Sequence, residues 1–180
     1  MLGTLRSIRW LLGVLACASV TLAPALARPV AAEPLAIVGA DPAAMTLLTV
    51  EQTMLDLTNA DRLANGLPPL EFDPATLAIA RARAARQLGS GALSHYDGDG
   101  ELAFVRLLAE SRLGYQLAGE NLARASASDS TLMQRIEQAL MQSPTHRENI
   151  LERKFSRVAI GAATDASGRV AFAEIFRSTD

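Results

Sequence analysis

The run from Trp10 to Leu26 carries no charge, follows Arg6 and Arg9, and closes in Ala25-Leu26-Ala27. A basic start, an apolar middle and a small-x-small end make a secretory signal peptide over residues 1–27, cut after Ala27 or, as a second choice, after Ala32. Two other fates fit parts of the same segment. Left in place it would be an anchor, although Pro24 and several alanines weaken a span already short of the ~20 residues needed. Val14-Leu15-Ala16-Cys17 also resembles a lipid-attachment site, but the apolar run continues past Cys17, where such a site should end it. Contact with a membrane is therefore expected only through an uncleaved N-terminus or lipidation of Cys17. The folding domain must be built from the residues beyond this segment.

Removing residues 1–27 takes away two arginines, no acid and the only cysteine of a 180-residue chain with 17 Lys+Arg against 19 Asp+Glu. The remainder is mildly acidic and has no stretch that concentrates its basic residues. Nucleic acid, whose phosphates demand such a patch, is excluded as a partner. An exported chain of this length without disulfides has to rest on one hydrophobic core. That points to a bacterial protein of the periplasm or the extracellular space rather than a small disulfide-stapled one.

Residues 28–45, rich in Pro and Ala and without a period, read as a linker or arm, so the domain is expected over 46–180. Thr49 with Gln52 forms a capping-box pattern, and Val50, Met54, Leu57 and the Leu55/Leu63 neighbourhood carry helical spacing up to Gly66. Asp73-Pro74 opens a second helix through Leu88, with Leu77, Ala80, Ala84 and Leu88 toward the core. A third helix is expected from about Asp99 or Glu101 to Leu113, and a fourth from Asp129 or Ser130 to Gln142. Ser143-Pro144 caps a short fifth. Strand patterns come mostly late: Leu117–Ala123, then Val158–Ala162 and Val170–Phe176 flanking the turn residues Asp165-Ala166-Ser167-Gly168. Helices first and most of the sheet last argue for an α+β fold, a small antiparallel sheet covered by helices.

Both histidines lie in polar, turn-like contexts. His95 sits in Ser94-His95-Tyr96-Asp97-Gly98, and His146 in Ser143-Pro144-Thr145-His146-Arg147-Glu148-Asn149. Gly119-Glu120-Asn121 stands between them in the first strand, too far from either for local contact, so any convergence is tertiary. Two neutral imidazoles are good zinc ligands but fewer than the three protein ligands of most catalytic zinc sites. Glu120 would join them, support one imidazole, or serve as a general base toward a bound water. The alternative is structural: histidines hydrogen-bonded at a loop and a helix start, and a buried Glu120 paired with an arginine. Ser94, Asn121, Arg147 and Asn149 are residue types that hold turns and loops together. Glu174 alternates with Val170, Phe172 and Phe176, so it faces their side of its strand and needs a partner, for which a histidine or an arginine would serve.

The order Asn59-x-x-Arg62, Gly66-Leu67-x-x-Leu70, Ser94-His95, Ala118-Gly119-Glu120-Asn121-Leu122-Ala123, Ser143-Pro144-Thr145-His146-Arg147-x-Asn149-Ile150-Leu151, Ile160-Gly161 and a closing Phe176 resembles the bacterial branch of the CAP superfamily. That superfamily is named for cysteine-rich secretory proteins, antigen 5 and pathogenesis-related 1 proteins, and its domain is also called SCP. The resemblance implies an α-β-α sandwich with a cleft in which His95 and His146 bind a divalent metal such as zinc beside Glu120, with Ser94, Asn121, Arg147 and Asn149 in support. The sequence departs from the pattern at Ser143, where many members carry a second acid, at Leu140 for a tryptophan, at Thr145 for a glycine and at Glu174 for a glutamine.

Other chemistry falls away. Asp97, Asp99 and Glu101 imitate an EF-hand opening, but Leu102 and Leu108 occupy the positions that need Gly and Glu. No phosphate-binding, dinucleotide-binding or serine-hydrolase fingerprint occurs, and Ser94 and Ser143, close in sequence to the histidines, read as turn and cap residues. Three functions stay open: an envelope or extracellular module that binds an amphiphile, a cell-wall glycan or a peptide; a metal-dependent hydrolase of peptide or peptidoglycan in which His95 and His146 hold zinc and Glu120 is catalytic; and an interaction protein whose cleft is vestigial.

Overall fold

In the computed structural model, residues 48–89, 91–126 and 130–179 are described; residues 1–27 with Cys17, read above as a signal peptide, residues 28–45, read as a linker or arm, and Asp129 lie outside them. In chain order the elements are α1 Thr49–Ala64, β1 Glu71–Phe72, α2 Pro74–Gly89, α3 Ala103–Glu110, β2 Leu117–Ala125, α4 Leu132–Gln142, α5 Pro144–Ile150, β3 Arg157–Thr164 and β4 Val170–Ser178.

The strands form one sheet in the order β1-β3-β4-β2. β3, β4 and β2 pair antiparallel, as expected, with Glu120 opposite Ile175 and Asn121 opposite Glu174. β1 adds a parallel edge through Glu71 and Phe72 against Arg157 and Val158. Two residues are too few to leave a periodic trace, so the sequence holds no sign of it.

Alternation along the strands sorts the core into two layers. Val158, Ile160, Phe172 and Phe176 face α1, α4 and α5 and pack with Met54, Leu55, Ile136, Leu140 and Ile150. Ala159 and Ile175 face the other way, onto Ile79 and Ala80 of α2 and Phe104 and Leu108 of α3, and Leu122 and Ala173 meet Ala84 nearby. The result is the α-β-α sandwich.

Asp73 stands immediately before α2 as expected, but its carboxylate is held by side chains: Thr76 Oγ1 donates to Asp73 Oδ2 at 2.7 Å and Arg177 Nε reaches the same oxygen at 2.7 Å. α1 begins differently. Leu48, not Thr49, is its N-cap, and Glu51 Oε2 accepts the Leu48 N–H at 2.8 Å while Gln52 Nε2 donates to Asp56 instead. Leu63 is 61% exposed and outside the core. α3 starts only at Ala103, because Asp97 Oδ1 takes the N–H groups of Asp99 and Glu101 and folds those residues into a turn.

The Asn59-x-x-Arg62 pattern now has a physical meaning. Asn59 pairs with both backbone groups of Leu70, at 3.1 and 2.7 Å. Arg62 is fully buried and donates to the carbonyls of Pro68 (2.9 Å), Ile150 (2.7 Å) and Glu152 (3.0 Å). It thereby ties the exit of α1 to the exit of α5. Burial lowers its pKa and the Glu152 charge opposes that.

α2 lies directly against β3 at Gly161. A Cβ placed there would lie 2.2 Å from the backbone carbon of Ala80 and 2.2 Å from the nitrogen of Arg81. No side chain can yield at such a contact, because what it meets is helix backbone. We predict that Gly161→Ala destabilises the domain by roughly 3 kcal/mol in urea unfolding, at the upper end of ordinary overpacking. A variant within about 1 kcal/mol of the wild type would show that α2 is free to retreat.

Candidate functional site

β2 is an edge strand of the sheet, and the site is assembled around it. Glu120 and Asn121, consecutive on β2, point to opposite faces. Glu120 meets α2, whose Ile79, Arg83 and Gln87 recur every four residues and so share one buried stripe. Arg83 Nε and Nη2 donate to the two carboxylate oxygens at 2.6 and 3.0 Å. The Arg83 and Glu120 side chains are 1% and 0% exposed. Two parallel bonds of this kind give a buried ion pair both strength and a fixed orientation.

Arg83 also fixes the loop that carries His95. Its Nη2 donates to the Ser94 carbonyl at 2.7 Å, while Gln87 gives Nε2 to the same carbonyl and takes the Ser94 N–H, at 3.1 and 3.0 Å. The Ser94 hydroxyl closes a turn with both backbone groups of Tyr96. Held this way, His95 Nδ1 lies 2.8 Å from Glu120 Oε2, with the ring a quarter exposed. The carboxylate selects the tautomer with hydrogen on Nδ1, and the lone pair of Nε2 is left for another partner.

His146 comes from the other face, on α5. Ser143 starts that helix as expected, its carbonyl accepting the Arg147 N–H at 2.9 Å, and Pro144 is its first residue. Asn121 Nδ2 donates to the His146 carbonyl at 3.2 Å, and Asn149 Nδ2 donates to Asn121 Oδ1 at 2.9 Å and to the Glu120 carbonyl at 3.3 Å. Gly119 makes room: a Cβ there would sit 2.8 Å from Asn149 Oδ1. Burial lowers the pKa of His146, and the electrostatic influence of His95 lowers it further.

His95, Glu120, Asn121, Ser94 and Asn149 are thus joined in one network, which His146 enters through its backbone carbonyl. Arg147 is not: its side chain is exposed, and its described hydrogen bonds are the backbone bonds of α5. Glu174 finds neither a histidine nor an arginine; Asn121 and Thr58 hold it, at 3.0 and 3.1 Å. Ser94 and Ser143 are turn and cap residues. Arg83 and Gln87 belong to none of the motifs read from the sequence, although two polar residues on the stripe of Ile79 announce a buried polar contact. Among the described residues no group of three or more His, Cys, Asp or Glu side chains is arranged to hold a metal ion.

A model of the cysteine-rich secretory protein family, CAP, matches residues 55–176. The chain belongs to this family. A curated relative, the uncharacterized protein YkwD of Bacillus subtilis strain 168, is 28% identical over 117 residues, which are 65% of this chain and 44% of the relative. A Bacillus anthracis extracellular protein containing an SCP domain superposes with a TM-score of 0.60 at 27% identity, over 72% of this chain and 40% of that one. An outer surface protein of Borrelia burgdorferi shares the fold, with a TM-score of 0.63 at 15% identity over 76% and 97% of the two chains. The chain spans less than half the length of the two Bacillus proteins.

Within this CAP domain the Arg83–Glu120 pair is what places His95. We predict that Arg83→Met, which leaves Glu120 buried without its cation, costs about 3–5 kcal/mol, and that Arg83→Met combined with Glu120→Leu recovers most of that loss. Denaturant unfolding of the four proteins of the cycle is the measurement. A single variant costing under about 1 kcal/mol would mean that the pair is not what holds the site.

Proposed function

We propose that this chain is an exported CAP module of the bacterial envelope or extracellular space, and that its cleft binds a ligand through His95 and His146 with the help of a divalent cation such as zinc. Export is supported by the segment 1–27 and by relatives described as extracellular or outer surface proteins. Among the described residues no helix is long and apolar enough to cross a membrane. The ligand class proposed is an amphiphile, a cell-wall glycan or a peptide.

One observation carries the preference for binding over hydrolysis: both oxygens of Glu120 are engaged, and its side chain is closed to solvent. A general base has to reach the water it activates. A carboxylate in this position instead orients an imidazole, as second-sphere acids do beside metals. On this reading the donors to a cation are His95 and His146 alone, supported by the electrostatic influence of one histidine on the other, and two protein ligands make the affinity moderate. A bound cation would supply Lewis acidity or a bridge to an anionic group of the ligand; the protein's own part is to orient the His95 ring through Glu120 and to hold the His146 backbone through Asn121.

We predict that zinc titration of the protein by calorimetry gives saturable binding that weakens by at least about tenfold in His95→Ala and in His146→Ala. If the double variant binds as tightly as the wild type, the cation reading is wrong. Soluble fragments released from purified cell wall, and lost in Glu120→Gln, would establish the hydrolase in its place.

A further inference from the structure

On the face of the sheet turned toward α1, α4 and α5, two glutamates meet. Glu174 of β4 is 1% exposed and Glu137 of α4 is 3% exposed. Between them stands Thr58 of α1, whose Oγ1 lies 3.2 Å from Glu137 Oε2 and 3.1 Å from Glu174 Oε1. A hydroxyl has one hydrogen. It donates to one carboxyl oxygen only, and its other contact is attractive only where the second carboxyl carries a proton and donates back.

The surroundings offer no other way to compensate two charges. From α1 the neighbouring titratable group is Asp61, a third acid, whose charge and side-chain hydrogen bond both disfavour charge on Glu137; Arg62 of the same helix turns to backbone carbonyls. From β2 comes the neutral Asn121, and α5 contributes the carbonyl of His146 and the amide of Asn149 to the same network. The described partners of the two glutamates are Thr58, Asn121 and the acid Asp61, and the influences on their charge are burial, one another and these groups. Glu137 Oε1 is buried with no hydrogen-bond partner, a costly position for an ionised oxygen and a tolerable one for a neutral acid.

We propose that Glu137, Thr58 and Glu174 hold one shared proton inside the folded domain, and that release of this proton is transmitted through Asn121 to α5. Asn121 Nδ2 divides its donation between Glu174 Oε2 at 3.0 Å and the His146 carbonyl at 3.2 Å. A second negative charge in the pair draws that amide toward Glu174 and loosens its hold on α5. The cleft then has a pH-dependent support on the far side of the strand that carries Glu120, whether or not it binds a cation.

The directions of titration agree. Burial, with the charges of Glu174 and Asp61 added, pushes Glu137 up to about 9; burial pushes Glu174 up to about 7, against the bonds from Asn121 and Thr58. A carboxyl raised in the folded state binds its proton more tightly than in the unfolded chain. Its stabilisation is complete below the unfolded value and disappears as pH rises through the folded one.

The test uses the protein freed of metal by a chelator, so that its result does not depend on zinc binding. We expect the melting temperature to fall as pH is raised from about 5 to about 9, and to fall by less than half as much in Glu137→Gln and in Glu174→Gln. In the wild type, the side-chain carboxyl carbon of at least one of the two glutamates should titrate above about pH 6 by NMR, a measurement that needs no variant. The backbone signals of α5 should follow that same step and lose it in Glu174→Gln. Both carboxyl carbons titrating near pH ~4.5, or variants whose melting profiles superimpose on the wild type, would overturn the shared proton. An α5 step that persists in Glu174→Gln would overturn the transmission.

Discussion

The depth to which α2 sinks onto the sheet determines much of what surrounds it. Gly161 lets the backbone of α2 approach β3 at Ala80 and Arg81. Arg83 and Gln87 lie one and two turns further along the same helix, and from them run the bonds to Glu120 and to the Ser94 backbone that place His95. A helix held a side-chain radius further out would bring the guanidinium short of the carboxylate, and a hydrogen bond weakens steeply over that distance. The position of an imidazole at the edge of the sheet is thus set by the absence of a methyl group on a strand two places away.

With no cysteine beyond Cys17, the folded domain joins its distant segments through buried arginines and acids instead. Arg62 links α1 to the loop after α5, and Arg177 links β4 to Asp73 before α2 and, through Nη1, to the Gly114 carbonyl at 2.8 Å. Glu51 of α1 takes the Ala162 N–H of β3 at 3.0 Å and two bonds from Arg81 of α2. Burial raises the pKa of Glu51, but these donors outweigh it and the net shift is downward. Each such charge costs desolvation that its partners offset, so the net gain in stability is small. What the arrangement supplies is uniqueness: α1, α2 and the sheet fit together in the one register that gives these charged groups their partners.

How much of this could be read from the sequence depends on the range of the signal. α2, the hairpin of β3 and β4 and the start of α5 carry local marks, Asp73-Pro74, Asp165 to Gly168 and Ser143-Pro144, and they stand where those marks put them. The start of α3 is displaced because Asp97 captures two N–H groups that a helix would have used. β1 is invisible because two residues have no period. In the site, Glu120, His95, His146, Asn121 and Asn149 were identifiable by type and order. Their connections were not, because Arg83 lies 37 residues from Glu120 and Thr58 lies 116 from Glu174, separations across which a single sequence holds no geometric information.

The two acids on facing strands next to the site show why residue type alone does not assign a role. Glu120 and Glu174 are both buried carboxyls, separated by one step of the β2–β4 register, and they face opposite layers. Glu120 meets an arginine fork and an imidazole, so it is suited to fixing a direction and poorly suited to exchanging protons with a ligand. Glu174 meets a hydroxyl, an amide and a second acid, so its charge is the one the surroundings leave free to change. A polar cleft needs both kinds of group when it must present a rigid face while still answering to its medium. This fold separates them by the thickness of a sheet and joins them through Asn121, which donates to Glu174, and Asn149, which donates to Asn121 and to the backbone carbonyl of Glu120.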